Sequence, residues 1–408
     1  MLAAITGVAT GFAVAAFERI VIDGLFDHLL ELSPWLLALM PLVGLSLSWL
    51  ALVYVARTRD SGMTDLYLEA FHHADQPLRV REFPGRVLAA IATPGFGGAM
   101  GLEGGSLYFG AFFGSFLQRR FPRFTGPSSH RVLMVAGAAA GVAAIFRAPA
   151  TGAVFALEVP YQEDLARGML LPALVASATG YLAFVAVNGI TPLFASHGSP
   201  PTLSFANLAG ALMLGVAAGV AARAFAWLVL AAKSLIHRFG PFTRILSSGL
   251  TLAALFALTW VLTDRPLAIG VGYNTIAWAL LPHRALWLLA IVLVVRCLAT
   301  AATVAGSGVG GLFIPLVVAG ALLGRIAVEV VGGSNTTLFV VVGAAAFLGA
   351  GYRVPLAAVM FVAETTGRPG FVVPALLAAV TAMLVMGPAS VTRYQRATTA
   401  APEPPARE

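Results

Sequence analysis

Within Met100-Gly-Leu-Glu-Gly-Gly-Ser106 a single carboxylate, Glu103, stands among glycines and leads into an apolar run. Glycines on both sides let the backbone approach closely and leave N–H groups uncovered, that of Gly104 among them. If the run is a helix, its first turn carries unpaired donors and about half a positive charge, a setting that suits an anion. A carboxylate there occupies the anion's place when ionised and leaves it when protonated, which is the chemistry of a proton-operated gate. The plainer alternative is a capping glutamate at a packing interface. A second Gly-rich stretch, Gly306-Ser-Gly-Val-Gly-Gly-Leu-Phe-Ile-Pro315, also enters an apolar run. It makes the N–H groups of Leu312, Phe313 and Ile314 candidate donors at a helix start, against the alternative of glycines packed between close helices. In Asp60-Ser-Gly-Met-Thr-Asp65, Ser61 and Thr64 could hold an anion through hydroxyls or cap the next helix, and capping is the expectation. His72 and His73, with Asp65, Glu69 and Asp75, form a short polar stretch that reads as a solvated loop, so no metal site is expected. No nucleophile elbow, His-Glu-x-x-His or P-loop pattern occurs, which argues against an enzyme and implies no cofactor and no nucleic-acid partner.

The elements that position these residues must lie in a bilayer. Of 408 residues, 59% are hydrophobic and 11% charged, whereas soluble domains carry roughly a quarter charged residues. Apolar runs of about 18 residues or more recur, as at 35–55, 208–230 and 245–263, and each is long enough to span the hydrocarbon as a helix. About ten or eleven such segments are expected, giving an all-α, polytopic integral membrane protein of bacterial plasma-membrane type. No basic stretch precedes Leu2-Ala-Ala-Ile5, so no removable signal is expected. Cys297 is the single cysteine, which excludes a disulfide framework. The net charge of +7 fits Arg and Lys gathered in cytoplasmic loops, with a field that draws anions as a second reading.

An internal repeat organises the chain. The segment from Gly137 through Arg147-Ala-Pro149 to Glu158 recurs from Gly343 through Arg353-Val-Pro355 to Glu364, with Phe155 matched by Phe361. The same shift, carried without a gap, lays Gly104-Gly105 on Gly310-Gly311, Gly114 on Gly320 and Glu103 on Val309. The paired Glu158 and Glu364 therefore read as architecture, and the unpaired Glu103 as function. Duplicated halves with interrupted helices are the plan of channels and secondary transporters, where half-helix ends meet at mid-membrane. One transport domain is expected over 1–396, with halves roughly 1–200 and 201–396 in inverted orientation, and a disordered Pro-rich tail at 397–408.

Taken together these pieces resemble the CLC family of chloride channels and proton-coupled anion exchangers. Gly101-Leu-Glu-Gly-Gly is similar to the family's Gly-Arg/Lys-Glu-Gly-Pro motif, which implies an external gating role for Glu103. Gly311-Leu-Phe-Ile-Pro315 is similar to its Gly-x-Phe-x-Pro motif, which implies anion contact by the N–H groups of Leu312 and Phe313. Tyr394, in Ser390-Val-Thr-Arg-Tyr, falls where the family carries a pore-lining tyrosine. The inner anion site falls on Ser61 or on Met63 according to how the 60–77 segment is anchored; a hydroxyl there implies chloride and a methionine fluoride. Leu102 and Gly105 depart from the gate motif. Val159 stands where exchangers keep an inner proton-transfer glutamate, a loss typical of the family's channels, although some coupled members manage with other residues, so fluoride/proton or chloride/proton antiport is the alternative reading. The resemblance further implies a homodimer, and selectivity from hydrogen-bond donors and helix dipoles without a full buried positive charge.

Overall fold

Backbone N–H and C=O groups in lipid need partners within the chain, and a helix supplies them along its own length. The apolar sequence accordingly folds as helices. The computed structural model describes residues 1–73, 77–121, 131–190, 204–332 and 335–397; the tail from 398 onward lies outside the described residues. The first half contains α1 (Leu2–Val21), α2 (Pro34–Leu50), α3 (Met63–His72), α4 (Phe83–Gly95), α5 (Glu103–Arg120), α6 (Val132–Phe146), α7 (Pro149–Glu158) and α8 (Leu170–Asn188). The second contains α9 (Phe205–Arg238), α10 (Pro241–Thr263), α11 (Tyr273–Leu280), α12 (Leu286–Ala305), α13 (Phe313–Val331), α14 (Thr336–Tyr352), α15 (Pro355–Thr366) and α16 (Val372–Met386). Among the described residues, 8 helical segments are long and apolar enough to cross a membrane. That is fewer than the apolar runs suggest, because several are broken. α6 and α14 stop at Arg147 and Arg353, whose φ angles of 54° and 58° are left-handed, and a proline two residues on starts the next helix.

The halves run in opposite directions, and the two glutamates of the repeat show how. The Glu158 carboxylate, at the C-terminus of α7, accepts from the N–H groups of Leu356 (3.1 Å) and Ala357 (2.8 Å) at the N-terminus of α15. Glu364, near the end of α15, accepts from Ala150 (2.8 Å) and Thr151 (2.7 Å) at the start of α7. Each helix caps the other, which requires them to be antiparallel. These carboxylates satisfy the orphan donors of interior helix starts and are architecture.

The register of the repeat differs from the ungapped one in the Gly-rich segments. Gly101 and Gly311 exchange reciprocal backbone hydrogen bonds of 2.9 and 2.8 Å, so they are mates on the symmetry axis. Val309 N–H donates to Thr93 Oγ1, and Ala99 N–H donates to Thr303 Oγ1, one exchange mirroring the other. Gly97 and Ser307 share a positive φ at the equivalent turn. Gly110 packs on Gly137 as Gly320 does on Gly343, so the partner of Gly320 is Gly110 and not Gly114. The mate of Glu103 is therefore Phe313, not Val309: the ungapped alignment is out by about one helical turn. The extra residues fall between α5 and α6, and small-residue matches could not reveal them. The two motifs Gly101-Leu-Glu and Gly311-Leu-Phe are thus one element seen twice.

Candidate functional site

Where the two mates meet, α5 and α13 both begin, and the donors at the start of α13 point at the side chain that starts α5. Glu103 is 3% exposed. Its Oε1 accepts from Phe313 N–H at 2.6 Å and from Ile314 N–H at 3.3 Å. Its Oε2 is buried with no hydrogen-bond partner among the described residues. The seat exists because no side chain fills it: a Cβ on Gly101 would collide with Oε2, and one on Gly311 with Oε1. Gly104 lies against the Gly310 carbonyl in the same crossing. Phe313 and Ile314 N–H are therefore not free, as a bare helix start would leave them; a carboxylate of the other half holds them.

The third donor, Leu312 N–H, donates to the Tyr352 hydroxyl at 3.3 Å. Tyr352 closes α14 and is 1% exposed, and the Thr64 hydroxyl lies beside it. Both border a cavity of about 810 Å³ that also touches Ser61, Met63, Gly310, Leu312 and Tyr394. Ser61 and Met63 thus share one wall, Met63 buried at the first turn of α3 and Ser61 partly exposed ahead of it. The capping expectation for Ser61 and Thr64 fails: Gly62 is the N-cap of α3, without a side-chain cap. The Gly62 N–H instead donates to Asp60 Oδ1 at 2.9 Å. Tyr394 is 40% exposed. Its segment is pinned by Gln395, whose amide donates to the carbonyls of Val159 (2.9 Å) and Tyr352 (2.7 Å).

Charged groups that the sequence did not single out complete the cavity. Lys233 Nζ, on α9, contacts Asp65 Oδ2 at 2.6 Å and donates to the Val391 carbonyl at 3.1 Å. Arg59, Arg244 and Arg393 also line the wall, so cationic groups outnumber the carboxylates of Asp60, Asp65 and Glu69 there by a single charge. Deeper in the protein, Arg86 and Arg296 occupy equivalent places on α4 and α12. Arg86 donates to the Asp60 carbonyl at 2.8 Å and to Glu82 Oε2 at 2.8 Å. Arg296, 2% exposed, donates only to carbonyls of the turn 267–271, at 3.1 to 3.4 Å. No carboxylate pairs with it among the described residues. A full positive charge is therefore buried in the interior, at a position that does not line the cavity. The sequence signal was its lone position in an apolar run, where a charge is a functional candidate by default.

Inverted halves, broken helices and helix starts converging on one buried carboxylate define a membrane transport protein of the discontinuous-helix class. The chain belongs to the CLC family: it matches the voltage gated chloride channel family over residues 43–387. It is 29% identical over 374 residues to a putative chloride channel protein, ClcB-like, of Ralstonia nicotianae, covering 88% of this chain and 84% of that protein. It is 24% identical over 412 residues to the H(+)/Cl(-) exchange transporter ClcA of Salmonella arizonae, covering 94% of this chain and 84% of that one. Among solved structures, a CLC-type fluoride/proton antiporter superposes with a TM-score of 0.81 at 23% identity, over 98% of this chain and 97% of the other. A slow cyanobacterial Cl-/H+ antiporter gives 0.81 at 20% identity, over 94% and 93%.

Proposed function

We propose that the protein moves small inorganic anions, chloride foremost, across a bacterial plasma membrane, as a homodimer with one pathway in each subunit. The observation that carries this reading is the Glu103 carboxylate seated on the Phe313 and Ile314 N–H groups. A seat of helix-start donors that holds one anionic oxygen suits a mobile anion. In this reading the structure corresponds to the closed gate. Protonation of Glu103 weakens its hold, the side chain swings out, and the anion takes the N–H groups of Phe313, Ile314 and Gly104. Further in, it meets Leu312 N–H, with Tyr394, Ser61 and Met63 on the walls of the cavity. Neutral donors bind the ion loosely enough for release, and Arg59, Lys233, Arg244 and Arg393 on the cavity wall offset the carboxylates there.

Coupled exchange of chloride or fluoride for protons is the second reading, supported by the names of the relatives. Against obligatory coupling stands Val159, fully buried at the place of the exchangers' inner carboxylate. The test is halide efflux from liposomes loaded with chloride or fluoride, with external pH recorded with and without a proton shunt. Efflux that needs no shunt and moves no protons supports the channel-like reading. Uphill proton movement driven by a halide gradient makes it an exchanger, and absence of any halide flux sinks both.

A further inference from the structure

We propose that Tyr352 is a further anion-binding residue of this pathway: its hydroxyl accepts from the Leu312 N–H and donates its own proton to an anion that arrives there. This rests on the anion-transport reading above and adds a ligand to it.

A phenol has one proton to give and two lone pairs with which to accept. Tyr352 Oη accepts from Leu312 N–H, and no carbonyl or carboxylate oxygen among the described residues takes its proton. Among the described residues the side chain hydrogen-bonded to it is that of Thr64, which brings a second hydroxyl proton. Whichever of the two hydroxyls donates to the other, one O–H is left without an acceptor among the described residues. Buried donors seldom stay unmatched, and this one borders a cavity shared with Met63, Gly310 and Tyr394. A monovalent halide meets the need, since it accepts from several donors at once. The Leu312 contact of 3.3 Å is long for an N–H···O bond, so an anion displaces the hydroxyl oxygen from that N–H easily. The same movement leaves the O–H facing the ion.

The duplicated half separates what the scaffold needs from what was added. Phe146 closes α6 as Tyr352 closes α14, each followed by an arginine in left-handed backbone. Phe146 packs on Phe313 with ring centroids 4.3 Å apart, and Tyr352 meets Phe155 edge-on at 5.5 Å. A bare ring satisfies the packing in the first half, so packing does not call for the hydroxyl in the second. Its placement on the anion-facing N–H of Leu312 does.

The decisive measurement is the chloride dependence of flux in liposomes for the full-length protein, Tyr352→Phe and Thr64→Val, with thermal melting in detergent alongside. Tyr352→Phe keeps the ring and is expected to melt with the wild type. It should raise the half-saturating chloride concentration by about tenfold or more, as loss of a hydrogen bond to a charged group implies, and alter the fluoride-to-chloride preference. Thr64→Val should shift both in the same direction, by less. If half-saturation and preference stay unchanged in both variants while Glu103→Gln still alters flux, Tyr352 has no such role and the anion-transport reading stands. A wild type that moves no halide overturns both together.

Discussion

Replacing Glu103 by Gln keeps the shape of the proposed gate and removes its charge. In the structure one carboxylate oxygen accepts two N–H bonds, a short one of 2.6 Å from Phe313 and a longer one of 3.3 Å from Ile314. Hydrogen bonds to ionised acceptors contribute about 1.5–3 kcal/mol, and those to neutral ones about 0.5–1.5. Counting the short bond in full and the long one at a fraction, the amide loses about 2 kcal/mol of closing free energy. At about 1.4 kcal/mol per factor of ten, the closed-to-open ratio falls roughly 30-fold. Chloride should then compete for the outer seat at roughly 30-fold lower concentration, and flux at neutral pH should rise accordingly. The sign with pH follows from the same chemistry. Protonation neutralises the wild-type carboxylate, so its flux increases as the external solution becomes acidic. The Gln variant has nothing to protonate there and should be flat at the high level. Efflux of chloride from liposomes, measured from mildly alkaline to mildly acidic pH, reads both effects. A Gln variant that keeps the wild-type response to acid would refute the gating argument, because the titrating group would then lie elsewhere.

Gly101→Ala should imitate the Gln variant without touching charge, since the three atoms nearest the added Cβ all belong to the Glu103 carboxylate; raised flux at neutral pH is the expected result. Glu158→Ala uncovers the Leu356 and Ala357 N–H groups in the interior and should cost about 2–4 kcal/mol of stability, at about 1–3 kcal/mol for the first orphaned donor and less for the second, seen as a lower melting temperature in detergent. Asp65→Asn releases Lys233 from its 2.6 Å ion pair and should strengthen halide capture from the cavity side, an effect that weakens as ionic strength rises. Arg296→Met removes the guanidinium from the carbonyls of 268–271; a loss of about 3 kcal/mol or more is expected, in line with breaking a buried charged network, and a variant that expresses and melts like the wild type would contradict it.

The fold was legible because its signals are strong and local. Apolar runs announced the membrane, and the Arg, Pro and Glu shared by 147–158 and 353–364 announced the duplication, since those residue types do not recur by composition alone. The Gly-rich register was not legible. Glycine and alanine matches carry no anchor, and the length difference between α5 and α6 went unseen. Glu103, Phe313 and Ile314, which the structure brings together, stood out as candidates because a helix start among glycines is a local pattern. Tyr352 was hidden because it closes an apolar helix and looks like any core aromatic; only comparison with Phe146 exposes its extra oxygen. The Asp65–Lys233 pair joins residues far apart in sequence, and nothing near either one points to the other. Thr64 misled through propensity: hydroxyls favour caps, but Gly62 took that place and left Thr64 beside Tyr352.

An inverted scaffold presents the same architecture to both faces of the membrane, so by itself it gives a travelling ion no preferred direction. Rectification has to arise at positions where the mates have diverged. The structure offers a short set of them: Glu103 against Phe313, Tyr352 against Phe146, and an arginine paired with Glu82 against one held by carbonyls only. Exchanging residues within such pairs, instead of deleting them, would invert the polarity of the pathway while leaving its frame intact. Any difference between inward and outward rates thus belongs to a handful of side chains, and the helices that carry them are indifferent to it.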